Sequence, residues 1–141
     1  MYLDSAYIAK FYVNERDSDA VRAIIANADA LLSSVWSLGE VTCAFHRHMR
    51  EGWLSPAQFR ELAHAFLKHV DGGVWTLIPT TETLLKRVSS LVSAVPAGVY
   101  LRAGDAVHLT TAQQLGEREI WTNDRHMLAA APHFGLAGRT A

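Results

Sequence analysis

An α/β fold, with helices on both faces of a central parallel sheet of four or five strands, is what this sequence predicts. Three observations carry that expectation. Short apolar runs recur along the chain, too brief to be helices. Longer segments between them repeat their apolar residues at spacings of three and four. Glycine and proline punctuate the boundaries. Strands alternating with helices in this order build parallel sheets buried on both faces.

The elements follow in sequence. Tyr2 and Leu3 make a very short first strand ending at Asp4, and Ile8, Phe11 and Tyr12 mark a helix after it. Asp17-Ser18-Asp19 is a cap signal for a second helix carrying Val21, Ile24 and Ile25. Ala30 to Ser34 reads as the second strand, with Ser34 capping a helix that runs to about Arg50 and stops at Gly52. Ser55-Pro56 opens the next helix, which bears Phe59, Leu62, Ala63 and Phe66. Gly72-Gly73 breaks the chain before a third strand, Val74 to Ile78, closed by Pro79. Thr81 caps a helix with Leu84, Leu85, Val88 and Leu91, and Pro96-Ala97-Gly98 is a loop. A helix from about Gly104 to Leu115 stops at Gly116. Glu119 to Thr122 is the fourth strand, Asp124 starts a last helix that ends before Pro132, and Leu136 begins a small fifth strand.

No linker, repeat or low-complexity tract interrupts the 141 residues, so residues 1–141 read as one domain. Half of the chain is hydrophobic, enough for a core without covalent staples. The single cysteine, Cys43, excludes an intrachain disulfide and is read as core filler. The formal net charge of −1 gives no bulk signal for nucleic acid, so any such role rests on local charge. No basic segment leads into an apolar run, and no stretch has membrane-spanning length. The expectation is a soluble cytoplasmic protein with no membrane association.

In sheets of this kind, function gathers at the carboxyl ends of the strands. Asp4 and Asp124 sit there, after the first and fourth strands. Glu40 lies in the first turns of the helix after the second strand, and Asp105 at the start of the helix from Gly104. Each has an ordinary explanation as a cap, a dipole partner or a solvated charge. Two features favour convergence. Glu40 borders the apolar positions Val41, Ala44 and Phe45, and Asp105 heads the one-face stripe His108, Leu109 and Ala112. Carboxylates aligned with core stripes are costly unless a cation or donor receives them. Clustered carboxylates also raise one another's pKa, and a divalent cation reverses that cost. Oxygen-only donors point to Mg²⁺, with Mn²⁺ as the alternative, rather than zinc.

At these residues the chain resembles the PIN-domain family, of the VapC toxin type. Tyr2-Leu3-Asp4-Ser5 with Lys10-Phe11-Tyr12-Val13 resembles the opening strand and helix of the family. Ser37-Leu38-Gly39-Glu40-Val41 resembles its second acidic motif. Leu101-Arg102-Ala103-Gly104-Asp105-Ala106-Val107-His108-Leu109 resembles the third, and Thr122-Asn123-Asp124 with Met127-Leu128 the fourth. Any one of these is weak; the four in order span nearly the whole chain. One departure is Ala6, where the family often has a second small hydroxyl after Ser5. The resemblance implies a three-layer α/β/α domain with Asp4, Glu40, Asp105 and Asp124 as catalytic and metal-binding quartet. It also implies Mg²⁺-dependent endoribonuclease activity on RNA and a cognate VapB-like antitoxin. Asp4, Asp105 and Asp124 are the leading metal ligands. Glu40 is a candidate for a second ion or for orienting water, and Ser5 or Thr122 for steadying a carboxylate or water.

Lys10, Arg47, Arg50, Arg102 and Arg125 are candidate phosphate contacts, with Arg102 and Arg125 foremost because they flank acidic motifs. The spacings of His46 with His48 and of His64 with His69 suit no zinc site, and His108 reads as a packed, hydrogen-bonded histidine. Phe45, Trp53, Phe59 and Phe66 read mostly as core; a groove between their helices would be where an antitoxin helix docks. Homodimerisation is expected to cover remaining apolar helix faces. The rival readings are a non-catalytic PIN-fold RNA-binding or interaction module and a receiver-like domain. The latter would want a lysine after a late strand, where Trp121-Thr122-Asn123 offers none.

Overall fold

The computed structural model describes residues 1–141. Five strands form one sheet: β1 (Tyr2–Leu3), β2 (Leu32–Ser34), β3 (Thr76–Ile78), β4 (Glu119–Trp121) and β5 (Ala137–Arg139). Their order is β3-β2-β1-β4-β5, and every pairing is parallel. Seven helices connect them: α1 (Ser5–Tyr12), α2 (Ser18–Ala26), α3 (Ser37–Arg50), α4 (Pro56–Asp71), α5 (Glu82–Val92), α6 (Ala103–Gln114) and α7 (Arg125–Ala130). A short 3₁₀ turn, Ala131–Phe134, precedes β5.

Alternation along β1 divides the interior. Successive strand residues point to opposite faces, and Tyr2 and Leu3 belong to different cores. Leu3 joins Ile8, Val21, Val41, Phe45, Phe66 and Trp75, the face covered by α1 to α4. Tyr2 joins Leu109, Ala112, Ile120, Met127 and Phe134, the face covered by α6 and α7, with Leu91 of α5 packed against it. The result is the expected three-layer α/β/α arrangement, with β1 at the sheet centre.

Most helix starts are written locally. Asp4 accepts from the Tyr7 amide at 2.8 Å, Thr81 from Leu84 at 3.1 Å, and Asp124 from His126 at 2.7 Å. Ser55 and Gln58 close a reciprocal capping box ahead of Pro56. Gly52 and Gly116 follow helix ends with φ of 81° and 76°, a region costly for any residue with a Cβ.

Several local expectations are corrected. Ser34 does not cap α3: its hydroxyl accepts from the Trp36 amide two residues on and meets Thr80, forming a turn before Trp36 takes the N-cap position. Asp17 stands at the N-cap of α2 in a left-handed conformation, φ 70°, without a side-chain cap bond. The neighbouring Ser18 hydroxyl instead accepts from the Glu15 amide and donates to the Val13 carbonyl. Strands β2, β3 and β4 are shorter than expected, because only these residues find ladder partners in so narrow a sheet; β5 begins one residue after Leu136. Cys43 is exposed, since Val41 and Phe45 take the inward positions of α3 and Cys43 lies between them. Phe45 and Phe66 are fully buried and Phe59 packs on the same core, so of that aromatic group only Trp53, 75% exposed, faces outward.

Phe45 packs edge-on against Tyr12 and Phe66, with ring centroids 5.7 Å and 6.5 Å away. Replacing it by alanine is expected to cost about 3–5 kcal/mol. Urea denaturation should show a lower midpoint at unchanged slope.

Candidate active site

The four carboxylates come together because the backbone delivers each to the same edge of the sheet. Asp4 follows β1 and Asp124 follows β4, the strand next to it. Glu40 lies in the first turn of α3 and Asp105 in the first turn of α6. All four line one cleft of about 480 Å³ at the carboxyl ends of the strands.

Asp4 is nearly inaccessible, at 3% exposure. One carboxylate oxygen accepts from the Tyr7 amide and the other from the Thr122 hydroxyl, 2.5 Å away. No lysine, arginine or histidine pairs with it. The Thr122 oxygen in turn accepts from the Asp124 amide at 2.9 Å, so one threonine couples both strand-end aspartates. Burial pushes the Asp4 pKa above the ordinary aspartate range, against the opposing effect of the Thr122 and Tyr7 hydrogen bonds.

Asp105 and Asp124 share a cation. Arg102 donates to Asp105 from Nε at 2.9 Å and from Nη2 at 3.1 Å, a forked contact, and its Nη2 also meets Asp124. Burial pushes Asp124 upward, but the amides of His126 and Met127 and the guanidinium of Arg102 outweigh it and hold the carboxyl below its usual range. Asp105 in turn raises the pKa of Arg102. Glu40 is also driven up by burial and brought down by more: hydrogen bonds from His108 and Ser5, with favourable charge from His108 and Arg102.

The PIN domain family model matches residues 1–132. The chain belongs to the PIN-domain family. It is 34% identical over 140 residues to Ribonuclease VapC46 of Mycobacterium tuberculosis (strain ATCC 25618 / H37Rv), covering 97% of this chain and 94% of that protein. The crystal structure of Mycobacterium tuberculosis VapC20, a sarcin-ricin loop cleaving toxin, matches with a TM-score of 0.71 at 14% identity. That match spans 92% of this chain and 93% of the other, and it shows the shared fold.

In this PIN domain the arginines divide. Arg102 and Arg47 line the cleft; Arg125 is exposed beside it and donates to the His126 ring at 3.3 Å. His108 is a packed, hydrogen-bonded histidine as expected, yet it also reaches the cleft wall. Tyr2 and Gly104 carried no signal for the site in the sequence. Tyr2 bonds His108, and a Cβ on Gly104 would lie 2.5 Å from Glu40 Oε1. The pairing of Arg102 with Asp105 was readable in principle, since an acidic side chain at the third helical position reaches back to the N-cap residue.

With the side chains as they stand, no three His, Cys, Asp or Glu groups are close enough to hold a metal ion. Arg102 pairs with both Asp105 and Asp124. The donor set nevertheless suits a hard divalent cation. It is all carboxylate, and its most buried member has no positive partner.

A raised folded-state value means the folded protein keeps the Asp4 proton to higher pH than the unfolded chain. Ionising Asp4 therefore lowers stability as pH rises from the ordinary aspartate range through the Asp4 value. Glu40 and Asp124 behave oppositely: their contribution is present above the ordinary carboxylate range and is lost as pH falls through their lowered values. Asp4→Asn should accordingly be more stable than the parent at neutral pH without divalent ions, read as a higher Tm. Thermal melts with Mg²⁺ should raise the parent and leave the variant unmoved.

Proposed function

We propose that this PIN domain is a metal-dependent endoribonuclease and the toxin of a VapBC-type toxin–antitoxin pair. The observation that carries the reading is the convergence of Asp4, Glu40, Asp105 and Asp124 on one cleft, with Asp4 buried and lacking any cationic partner. The 34% identity to a protein named Ribonuclease VapC46 supports the reaction class.

Asp4, Asp105 and Asp124 would hold Mg²⁺ or Mn²⁺, with Glu40 at the margin of the same site. The ion, when bound, supplies Lewis acidity for a phosphate oxygen and for the attacking water. The remaining work falls to the chain. Thr122 and the Tyr7 amide fix both oxygens of Asp4. Glu40 orients the water for in-line attack at phosphorus, with the ribose 3′-oxygen leaving. Arg102 stands in for a cation between Asp105 and Asp124 while the site is free of metal. Its half-exposed side chain can then turn outward to meet the RNA backbone, joined by Arg47 on the cleft wall.

We assign the antitoxin surface to the same side of the molecule, where a helix from a VapB-like partner would bring a basic side chain to the cleft. We also propose a homodimer through the outer face of α5, where Leu85 and Val92 are exposed beside Leu101. No helix is long and apolar enough to cross a membrane, and the reading places the protein in the cytoplasm.

Incubation of a structured RNA with purified protein should give discrete fragments with Mg²⁺ and none with EDTA. Asp105→Asn should reduce cleavage by about two to four orders of magnitude, the several kcal/mol that a catalytic cation supplies. RNA that is bound but left intact at every metal concentration would replace this reading with that of a non-catalytic binding module. Arg102→Ala should bind Mn²⁺ more tightly by calorimetry, because its competitor for Asp105 and Asp124 is gone. The same variant should bind RNA more weakly, with a log–log salt slope shallower by about 0.7–0.9.

A further inference from the structure

Glu40 is held in the cleft by partners from two other helices, Ser5 of α1 and His108 of α6. Its Oε2 lies 2.5 Å from the Ser5 hydroxyl and 2.9 Å from His108 Nε2. The His108 ring is 1% exposed, and its Nδ1 lies 3.1 Å from the Tyr2 hydroxyl. An ionised carboxylate only accepts, so Nε2 must carry the proton that points at Glu40. In the neutral ring Nδ1 is then the acceptor, and the buried Tyr2 hydroxyl donates to it. Tyr2 thereby anchors the ring from its far side and fixes its orientation toward Glu40. The opposite oxygen, Oε1, lies against Gly104, where a Cβ would stand 2.5 Å from it and 3.4 Å from the Trp36 indole nitrogen.

We propose that His108, oriented by Tyr2, is a positioning residue for Glu40, and that Gly104 supplies the clearance that lets the Glu40 carboxylate take its place. Neither residue touches substrate; both act through Glu40. The proposal rests on the ribonuclease reading of the cleft. It gives α6 two duties, Asp105 as a ligand from its first turn and His108 as the support for a carboxylate on α3.

The test compares His108→Leu, His108→Gln, Gly104→Ala and Glu40→Gln, each in the full chain. Readouts are kcat and KM on a labelled RNA, Mn²⁺ affinity by calorimetry, and Tm. His108→Leu should lower kcat or Mn²⁺ affinity by about 10–100-fold, the usual effect of losing a partner that orients a ligand, with KM changed less than about twofold. In the Glu40→Gln background the same substitution should add less than about twofold, since the two act as one unit. His108→Gln keeps a donor near Nε2 and should recover most of the loss. Gly104→Ala should reproduce the defect from the other side of the carboxylate. A full effect of His108→Leu in the Glu40→Gln background would overturn the proposal, as would wild-type kcat and Mn²⁺ binding in His108→Leu. If His108→Leu fails to fold, Gly104→Ala with Glu40→Gln decides on the same criteria. A parent that binds no Mn²⁺ and cuts no RNA would end the ribonuclease reading instead. The crystal structure of Gly104→Ala then settles the positioning claim alone: a displaced Glu40 upholds it and an unmoved one overturns it.

Discussion

The Asp4 carboxylate is the constraint around which the rest of this molecule is arranged. It stands where the central strand ends and the first helix begins, buried and in no ion pair. A buried, unpaired carboxylate is among the costliest groups a fold can contain. Two donors soften the cost, the Tyr7 amide in the first turn of α1 and the Thr122 hydroxyl at the end of β4. The second exists only if β1 and β4 lie side by side in parallel, so the bond from Thr122 to Asp4 also registers the sheet. The two donors leave the charge itself unbalanced, and that residual imbalance is what suits the edge to a divalent cation.

Arg102 shows how the remaining acids are kept together without one. Its guanidinium holds Asp105 by a fork and touches Asp124 across the cleft. This ties the first turn of α6 to the start of α7 through charge, in addition to the apolar core the two helices share. The arrangement balances two carboxylates within the chain itself, and a cation entering there would compete with it. Half-exposure of the Arg102 side chain keeps its ion pairs screened and reversible. A fully buried clasp would have competed far harder.

Much of this was legible in the sequence because it is local. Strand ends, caps such as Asp4, Thr81 and Asp124, and the spacing of acidic motifs are written within a few residues of one another. The four carboxylates that line the cleft could therefore be picked out as candidates. Their partners were harder, since His108 meets Tyr2 and Glu40 across 106 and 68 residues of chain. No periodicity predicts which buried histidine finds which acid. The clearance at Gly104 was invisible for the same reason: the atom that excludes a side chain there belongs to Glu40. Cys43 and Ser34 were misjudged on shorter grounds. One residue of helix rotation separates an inward from an outward position, and a hydroxyl two residues upstream of a helix can bond a turn as readily as a cap.

The polar seam between Glu40 and His108 also bears on why the two helical layers keep their relation. The cores on either face of the sheet share no buried residue; Leu3 belongs to one and Tyr2 to the other. A sheet of two- and three-residue strands is a weak partition between them. Apolar packing tolerates small slips, whereas hydrogen bonds near 3 Å do not. Glu40 comes from the layer of α3 and His108 from the layer of α6, and they meet over the strand ends with Ser5 between them. From Asp105 to Ala112, α6 is buried on every side, so it has little freedom to adjust. Movement of that helix would displace Asp105, the Arg102 clasp and the support of Glu40 together. The seam that fixes one layer against the other is thus the same set of atoms that holds Glu40 in the cleft, which ties that part of the site to the integrity of the fold.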